Sequence, residues 1–250
     1  MGALDFSTML LASVKITDAT GFTFFVGTMA MMAASVFFFF EMNNVDQKWR
    51  TSLLVSGLIT FIAAVHYYYM RDFYGESGTS PTELRYVDWI LTVPLMCVEF
   101  YLITRKAGAT SGLLWRLIAA SVVMLVTGFL GESTYVYNTA ETATMSWVMG
   151  LVSGLAYFYI LYLAMFGEIK ELGEKAGPQV AKAVKTLAWF VLVGWAIYPI
   201  GYIQGTTGGL FGMTVNFGLD MDVIYNIGDA INKIGFGLVV YALARGGDDA

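Results

Sequence analysis

Apolar stretches of about 20 residues recur along almost the whole chain, and that is the length a helix needs to cross the hydrocarbon core of a bilayer. They are read as Thr20–Met42, Ser52–Arg71, Pro81–Thr104, Leu113–Leu130, Thr142–Phe166, Val180–Gln204 and Asp220–Ala244. The connectors are short and carry small or turn-forming residues, as in Gly75-Glu76-Ser77-Gly78, Ala107-Gly108-Ala109 and Gly205-Thr206-Thr207-Gly208-Gly209. No long linker and no convincing internal repeat interrupts them. The expected fold is an all-α membrane protein, a seven-transmembrane-helix bundle forming a single domain over residues 1–250.

Composition agrees. Hydrophobic residues make up 57% of the 250 positions and charged residues only 13%, about half the charge of a soluble domain at about 25%. A net charge of −5 with no basic run excludes a phosphate-tracking nucleic-acid surface. The lone Cys97 excludes an intrachain disulfide framework. Residues Met1–Ile16 lack the basic start and long apolar core of a secretory signal, so insertion through the first helix, or a leader outside this sequence, is expected.

Basic residues alternate between connectors. Lys48 and Arg50 follow the first segment, Arg105, Lys106 and Arg116 surround the third connector, Lys170, Lys175, Lys182 and Lys185 surround the fifth, and Arg245 follows the last. The opposite side holds Lys15 and Arg71. The positive-inside rule therefore puts the N-terminus outside and the C-terminus in the cytoplasm.

Few ionisable residues lie deep in the segments: His66 in the second, Arg85, Asp88 and Glu99 in the third, Asp229 and Lys233 in the last. A charge at membrane depth costs at least roughly 2.5–3.5 kcal/mol and normally faces a partner or a transport path. Asp88 and Glu99 are 11 residues apart, which places them roughly 16 Å apart and about 20° off one face. That is the layout of a two-station relay, with Asp88 in the outer half and Glu99 towards the cytoplasm. Thr92 shares the face of Asp88, and Arg85 lies nearly one turn away. The plainer alternative is a set of ion pairs tying the bundle together; it fits Arg85 best and Glu99 worst, since no cation of another segment is evident at the depth of Glu99. Burial disfavours a charged carboxyl, so Glu99 is expected to be a protonated donor. His66, the only histidine, lies near the depth of Asp88; a hydrogen-bonded interior or interface histidine is its plainer role. Asp229 and Lys233 could form an intrahelical salt bridge, but burying both charges usually costs more than their attraction returns. A lysine amine held as a protonated Schiff base between Asp229 and Asp88 uses the arrangement better. Trp89, Trp195 and Tyr198 could wall a pocket, although aromatic residues in such spans more often pack or face lipid. Pro199 is expected to kink the sixth segment.

Three blocks together resemble the microbial rhodopsins, and among them the proteorhodopsins. They are Arg85-Tyr86-Val87-Asp88-Trp89-Ile90-Leu91-Thr92-Val93-Pro94-Leu95 with Glu99-Phe100-Tyr101-Leu102; Gly194-Trp195-Ala196-Ile197-Tyr198-Pro199 with Gly201-Tyr202; and Ile224-Tyr225-Asn226 with Asp229 and Asn232-Lys233-Ile234. The resemblance covers nearly the whole chain. It implies all-trans retinal on Lys233 as a Schiff base, Asp88 as counterion and proton acceptor, Asp229 as second counterion and Glu99 as cytoplasmic donor. Arg85 would organise the outer half and His66 would partner the acceptor. Trp89, Thr92, Met96, Tyr157, Trp195, Tyr198 and Pro199 would line the retinal. Asp88, Thr92 and Glu99 form the family's proton-pump triplet, implying a light-driven outward proton pump in the cell membrane rather than an enzyme. Met96 occupies the colour-tuning site, and its apolar side chain implies green absorption. Tyr157 stands where several relatives have tryptophan. Gly150 aligns with a site where glycine opens the pocket to a carotenoid antenna; close helix packing is the plainer role for it. The family commonly forms homo-oligomers, pentamers or hexamers. The rival functions are a sensory rhodopsin signalling to a transducer and a seven-helix receptor or transporter without retinal. Asp220 and Asp222, near the outer end of the last segment, are expected to be solvated.

Overall fold

The computed structural model describes residues 18–135, 140–205 and 217–246. Among these it contains helices and no strand. In chain order they are α1 (Ala19–Glu41), α2 (Arg50–Ser77), α3 (Thr82–Thr104), α4 (Ser111–Phe129), α5 (Ala140–Met165), a short α6 (Glu168–Ala176), α7 (Pro178–Trp189), α8 (Ile197–Gly205) and α9 (Met221–Gly246). Seven stretches are long and apolar enough to cross a membrane, from Ala19–Asn44 to Met221–Gly246, with α7 and α8 as two halves of the sixth. Helices are the expected solution, since a helix satisfies its backbone hydrogen bonds within its own segment where lipid offers no partner.

Sequential helices pack side by side from α1 to α5, and α9 returns against α1, α2 and α7, which closes the ring. Burial is uneven. The second and third spans bury 56% of their central windows and the seventh 50%, against 28–33% for the others. The three well-buried spans are the ones that carry His66, Asp88, Glu99, Asp229 and Lys233, and of these all but the partly exposed His66 are buried. Outward faces are apolar instead: Leu151, Leu155, Phe158 and Tyr162 of α5 are all exposed and follow one another at three- and four-residue spacing. That is a helical stripe suited to lipid.

Local chemistry fixes several ends. Asp18 Oδ1 accepts from Gly21 N at 3.2 Å, and Thr110 Oγ1 accepts from Leu113 N at 3.2 Å, each capping a helix start. Gly78, at φ +67°, ends α2 in the left-handed conformation that glycine adopts without penalty.

The structure differs from expectation in three places. The Gly75–Ser77 part of the connector after the second segment is helical, because α2 runs to Ser77; a helix can continue past the bilayer once its polar residues reach water. The fifth connector contains α6, whose polar composition hides it from an apolar-length criterion. The sixth span is interrupted before Pro199: residues Phe190–Gly194 form a π turn, followed by a tight turn at Trp195 and Ala196. The Gly205–Gly209 connector beyond Gly205 lies outside the described residues, as does Lys15.

Candidate functional site

Lys233 and Asp229 are four residues apart on α9, one turn of helix, and so share a face. Asp88 of α3 meets them from across the bundle. Lys233 Nζ lies 2.5 Å from Asp88 Oδ2 and 2.5 Å from Asp229 Oδ2. The three side chains are 1%, 0% and 2% exposed, respectively. Two carboxylates on one ammonium leave a surplus negative charge in a dry interior, and such a cluster holds only with further hydrogen bonds. Tyr198 supplies one, donating its hydroxyl to Asp229 Oδ1 at 2.8 Å. Asp88 Oδ1 has no hydrogen-bond partner among the described residues. His66 Nδ1 is 4.0 Å from that oxygen, yet lies 2.9 Å from the carbonyl of Ile62. A hydrogen on Nδ1 therefore goes to the helix backbone, and His66 is beside Asp88 rather than hydrogen-bonded to it. Thr92 Oγ1 donates to the backbone carbonyl of Asp88 at 2.9 Å.

Arg85 of α3 is a second buried cation, at 2% exposure. Its Nη2 donates to Asp222 Oδ1 at 2.9 Å and to Asn226 Oδ1 at 2.8 Å. The guanidinium lies 5.0 Å from the ring centre of Phe24 and 5.3 Å from that of Tyr225, within cation–π range. Asp222 is therefore not simply solvated: it takes the Arg85 bond and a second from Ser80 Oγ at 2.7 Å. Asp220 does act at the helix start, accepting from Val223 N at 3.2 Å and from Thr20 Oγ1 at 3.3 Å.

Glu99 stands apart from this cluster, fully buried. Ser56 Oγ of α2 donates to its Oε1 at 3.3 Å, and Oε2 has no partner among the described residues. No ion pair involving Glu99 occurs among the described residues, in line with its expected isolation.

Trp89, Met96, Tyr157 and Trp195 are buried in one continuous apolar cluster, with Tyr198 packed against it. Trp89 meets Tyr198 edge-on at 4.8 Å between ring centres. Pro199 lies in α8, beyond the break in the sixth span. That break frees backbone carbonyls, and side chains answer them. The Tyr157 hydroxyl lies 3.0 Å from the carbonyls of Val191 and Leu192, and Asn232 Nδ2 donates to the carbonyl of Gly194 at 2.9 Å. A side chain at Gly194 would put its Cβ 1.9 Å from Asn232 Oδ1, so glycine is what lets the amide approach. A buried primary amine with two carboxylates, beside an apolar and aromatic cluster, fits a carbonyl-bearing apolar cofactor linked as a cation. At Gly150 an added Cβ would lie 2.6 Å from Tyr202 Cε1, so the ring of Tyr202 already fills that face.

A family model described as bacteriorhodopsin-like protein matches residues 18–246. The chain belongs to that family. It is a multi-pass integral membrane protein of the microbial rhodopsin type, near the proteorhodopsins. It is 43% identical over 229 residues to a green-light absorbing proteorhodopsin of Gamma-proteobacterium EBAC31A08, covering 91% of this chain and 87% of the relative. It is 42% identical over 232 residues to a blue-light absorbing proteorhodopsin of Gamma-proteobacterium Hot 75m4, covering 92% and 88%. Among solved structures, xanthorhodopsin, described as a light-driven ion pump with dual chromophore, superposes with a TM-score of 0.77 at 26% identity, covering 92% of this chain and 94% of that one.

In this rhodopsin, several polar residues at the site were missed by sequence reasoning: Ser56, Tyr67, Ser80, Glu132, and the specific roles of Asp222, Asn226 and Asn232. Tyr67 is fully buried and donates to the carbonyl of Tyr225 at 3.2 Å. Glu132, in a π turn that ends the fourth span, accepts from the Tyr86 hydroxyl at 2.7 Å. One signal was available: Asp222, Asn226, Asp229 and Lys233 follow one another at helical spacing on a single stripe of the seventh span.

Proposed function

We propose that this rhodopsin is a light-driven outward proton pump with retinal linked to Lys233. The observation that carries the reading is the seat of Lys233 Nζ, 2.5 Å from a carboxylate of its own helix and 2.5 Å from one of α3. Retinal, when bound, supplies the light absorption and the change of shape that makes the proton on Nζ transferable. Asp88 takes that proton: a carboxylate at hydrogen-bond distance accepts it and becomes neutral, which an amide could not do. Asp229, held by Tyr198, keeps its charge and steadies the cation in the resting state. Glu99 later returns a proton to Nζ from the cytoplasmic side, and Ser56 orients its carboxyl. Trp89, Thr92, Met96, Tyr157, Trp195, Tyr198 and Pro199 hold the polyene and exclude water. His66 flanks Asp88, and Arg85 organises the outer half. A sensor would need no Glu99 to resupply the proton.

The working arrangement is one retinal-binding domain of seven spans, N-terminus outside, in a homo-oligomer. The apolar side chain of Met96, buried in the cluster that would hold retinal, favours green absorption, and a blue absorption maximum at alkaline pH overturns that assignment. The Tyr202 ring against Gly150 favours close packing over a carotenoid site; an added xanthophyll is expected to pass no excitation to retinal.

The deciding experiment illuminates cells expressing the chain with retinal while external pH is recorded. Reversible acidification, abolished by a protonophore, is expected. Alkalinisation strengthened by a protonophore means that another ion is moved, and sinks the reading.

A further inference from the structure

We infer that the proton that reloads Glu99 enters from the cytoplasm along one face of α2, with Ser52 passing it on and Trp49 anchoring the water that delivers it. The inference rests on the pump reading, its orientation and the donor role of Glu99. It concerns the step that follows donation to Nζ.

Helical spacing sets the face. Trp49 immediately precedes α2, Ser52 follows three residues later and Ser56 four after that, so the three succeed one another along a single stripe. Ser52 and Ser56 are 2% and 1% exposed. Ser56 Oγ donates to Glu99 Oε1 at 3.3 Å. Ser52, roughly 6 Å nearer the cytoplasmic end, is within reach of the same carboxyl. Two buried polar atoms along this path have no hydrogen-bond partner among the described residues: Trp49 Nε1 at its start and Glu99 Oε2 at its end. Buried donors and acceptors are rarely left unpaired, and bound water is a common partner. Solvent is close at hand. Asp46 and Lys48, paired at 3.7 Å, have side chains 47% and 31% exposed, and Lys48 Nζ lies 5.7 Å from the ring centre of Trp49.

The two side chains differ in what they can do. A serine hydroxyl donates and accepts at once, whereas an indole N–H only donates. Ser52 can therefore exchange one proton for another, while Trp49 holds a water by its oxygen and is a positioning residue. The other hydroxyls at this end are tied to backbone: Thr60 Oγ1 to the carbonyls of Ser56 and Gly57, and Thr104 Oγ1 to that of Phe100. The proton balance is closed. After donation Glu99 is a carboxylate. An O–H bond of the water at Trp49 breaks as one forms on Ser52 Oγ. The original Ser52 O–H bond breaks as one forms on Glu99 Oε2, and the water regains its proton from the cytoplasmic solvent.

The test follows retinal-loaded protein after a flash. Visible absorbance reports reprotonation of Nζ. The Glu99 carboxyl infrared band disappears on donation and returns on reloading, and a pH dye on the cytoplasmic side reports uptake. In Ser52→Ala, return of the band and uptake are expected to slow roughly tenfold, the upper end of what one hydrogen bond contributes, with Nζ reprotonation unchanged. Ser52→Thr keeps a hydroxyl and restores most of the rate. Trp49→Phe keeps a ring, loses the N–H and slows the same two signals less. Unchanged reloading in Ser52→Ala overturns the inference. So does equal slowing of donation and reloading, which marks a structural role, and so does a Ser52→Thr as slow as Ser52→Ala. If Ser52→Ala forms no pigment, Trp49→Phe decides: slowed reloading with donation intact upholds the route, and unchanged reloading overturns it. A wild type whose Glu99 band never changes defeats the donor role within the pump reading instead.

Discussion

The two ends of the bundle on either side of Lys233 are built differently. Towards Arg85 the polar side chains are dense: Tyr198, Asp229, Lys233 and Asp88 form one hydrogen-bonded group, and Asn226, Arg85, the partly exposed Asp222 and Ser80 form a second. Towards Glu99, a single carboxyl accepts a hydrogen bond from Ser56 and has no ion-pair partner among the described residues, and its chain neighbour Phe100 meets Phe236 edge-on at 5.8 Å. Both ends use carboxyl groups, so the difference is one of environment rather than of functional group. Charge moves cheaply where hydrogen bonds are already oriented and expensively where they must be made. On the proposed pump reading, this difference in environment is what would give proton transfer at Nζ its direction.

The contrast can be broken at its pivot first. Lys233→Ala is expected to remove the visible band altogether after retinal is added, as read by absorption spectroscopy; a remaining, unshifted band disproves the attachment site. Asp88→Asn disables the polar end: pumping in vesicles should fall to background, and the alkaline absorption maximum should move to the red. Glu99→Gln disables the apolar end alone. Reprotonation of Nζ, followed by flash photolysis, should slow roughly 100-fold while the preceding deprotonation keeps its rate; equal slowing of both steps removes Glu99 from the donor role. Gly194→Ala tests the seam between the ends: the added methyl collides with Asn232, and overpacking of this kind costs about 1–3 kcal/mol, to be seen as faster thermal bleaching. Ser56→Ala should have the smallest effect, about 1 kcal/mol or about a fivefold change in the reprotonation rate, the worth of one hydrogen bond.

The seven spans were legible because lipid imposes a length and a composition on every crossing segment. Lys233, Asp229, Asp88 and Glu99 were legible because a charge inside such a segment stands out. What escaped notice has an equally physical origin. Ser56, Tyr67 and Asn232 are uncharged, so their burial makes no mark on a hydropathy pattern, although each closes a hydrogen bond at the site. Asp222 and Glu132 sit at the ends of spans, where a carboxylate ordinarily meets water; only the partner helices, through Arg85 and Tyr86, reveal that they belong to the interior network. The helical α6 and the extension of α2 to Ser77 lie in polar sequence that carries no length signal.

The π turn at Phe190–Gly194 has a consequence for how the sixth span is indexed. Each such turn takes in one residue more than an α-turn does, which advances everything beyond it by about 100°. A helical wheel drawn through α7 and continued to α8 would point Tyr198 a quarter-turn away from Asp229, whose oxygen its hydroxyl reaches at 2.8 Å. The two halves of the span thus keep separate phase: α7 is aligned by its neighbours before the turn and α8 by α9 after it. Losing one residue between 190 and 196 would leave α7 in place and rotate Tyr198 out of reach of Asp229.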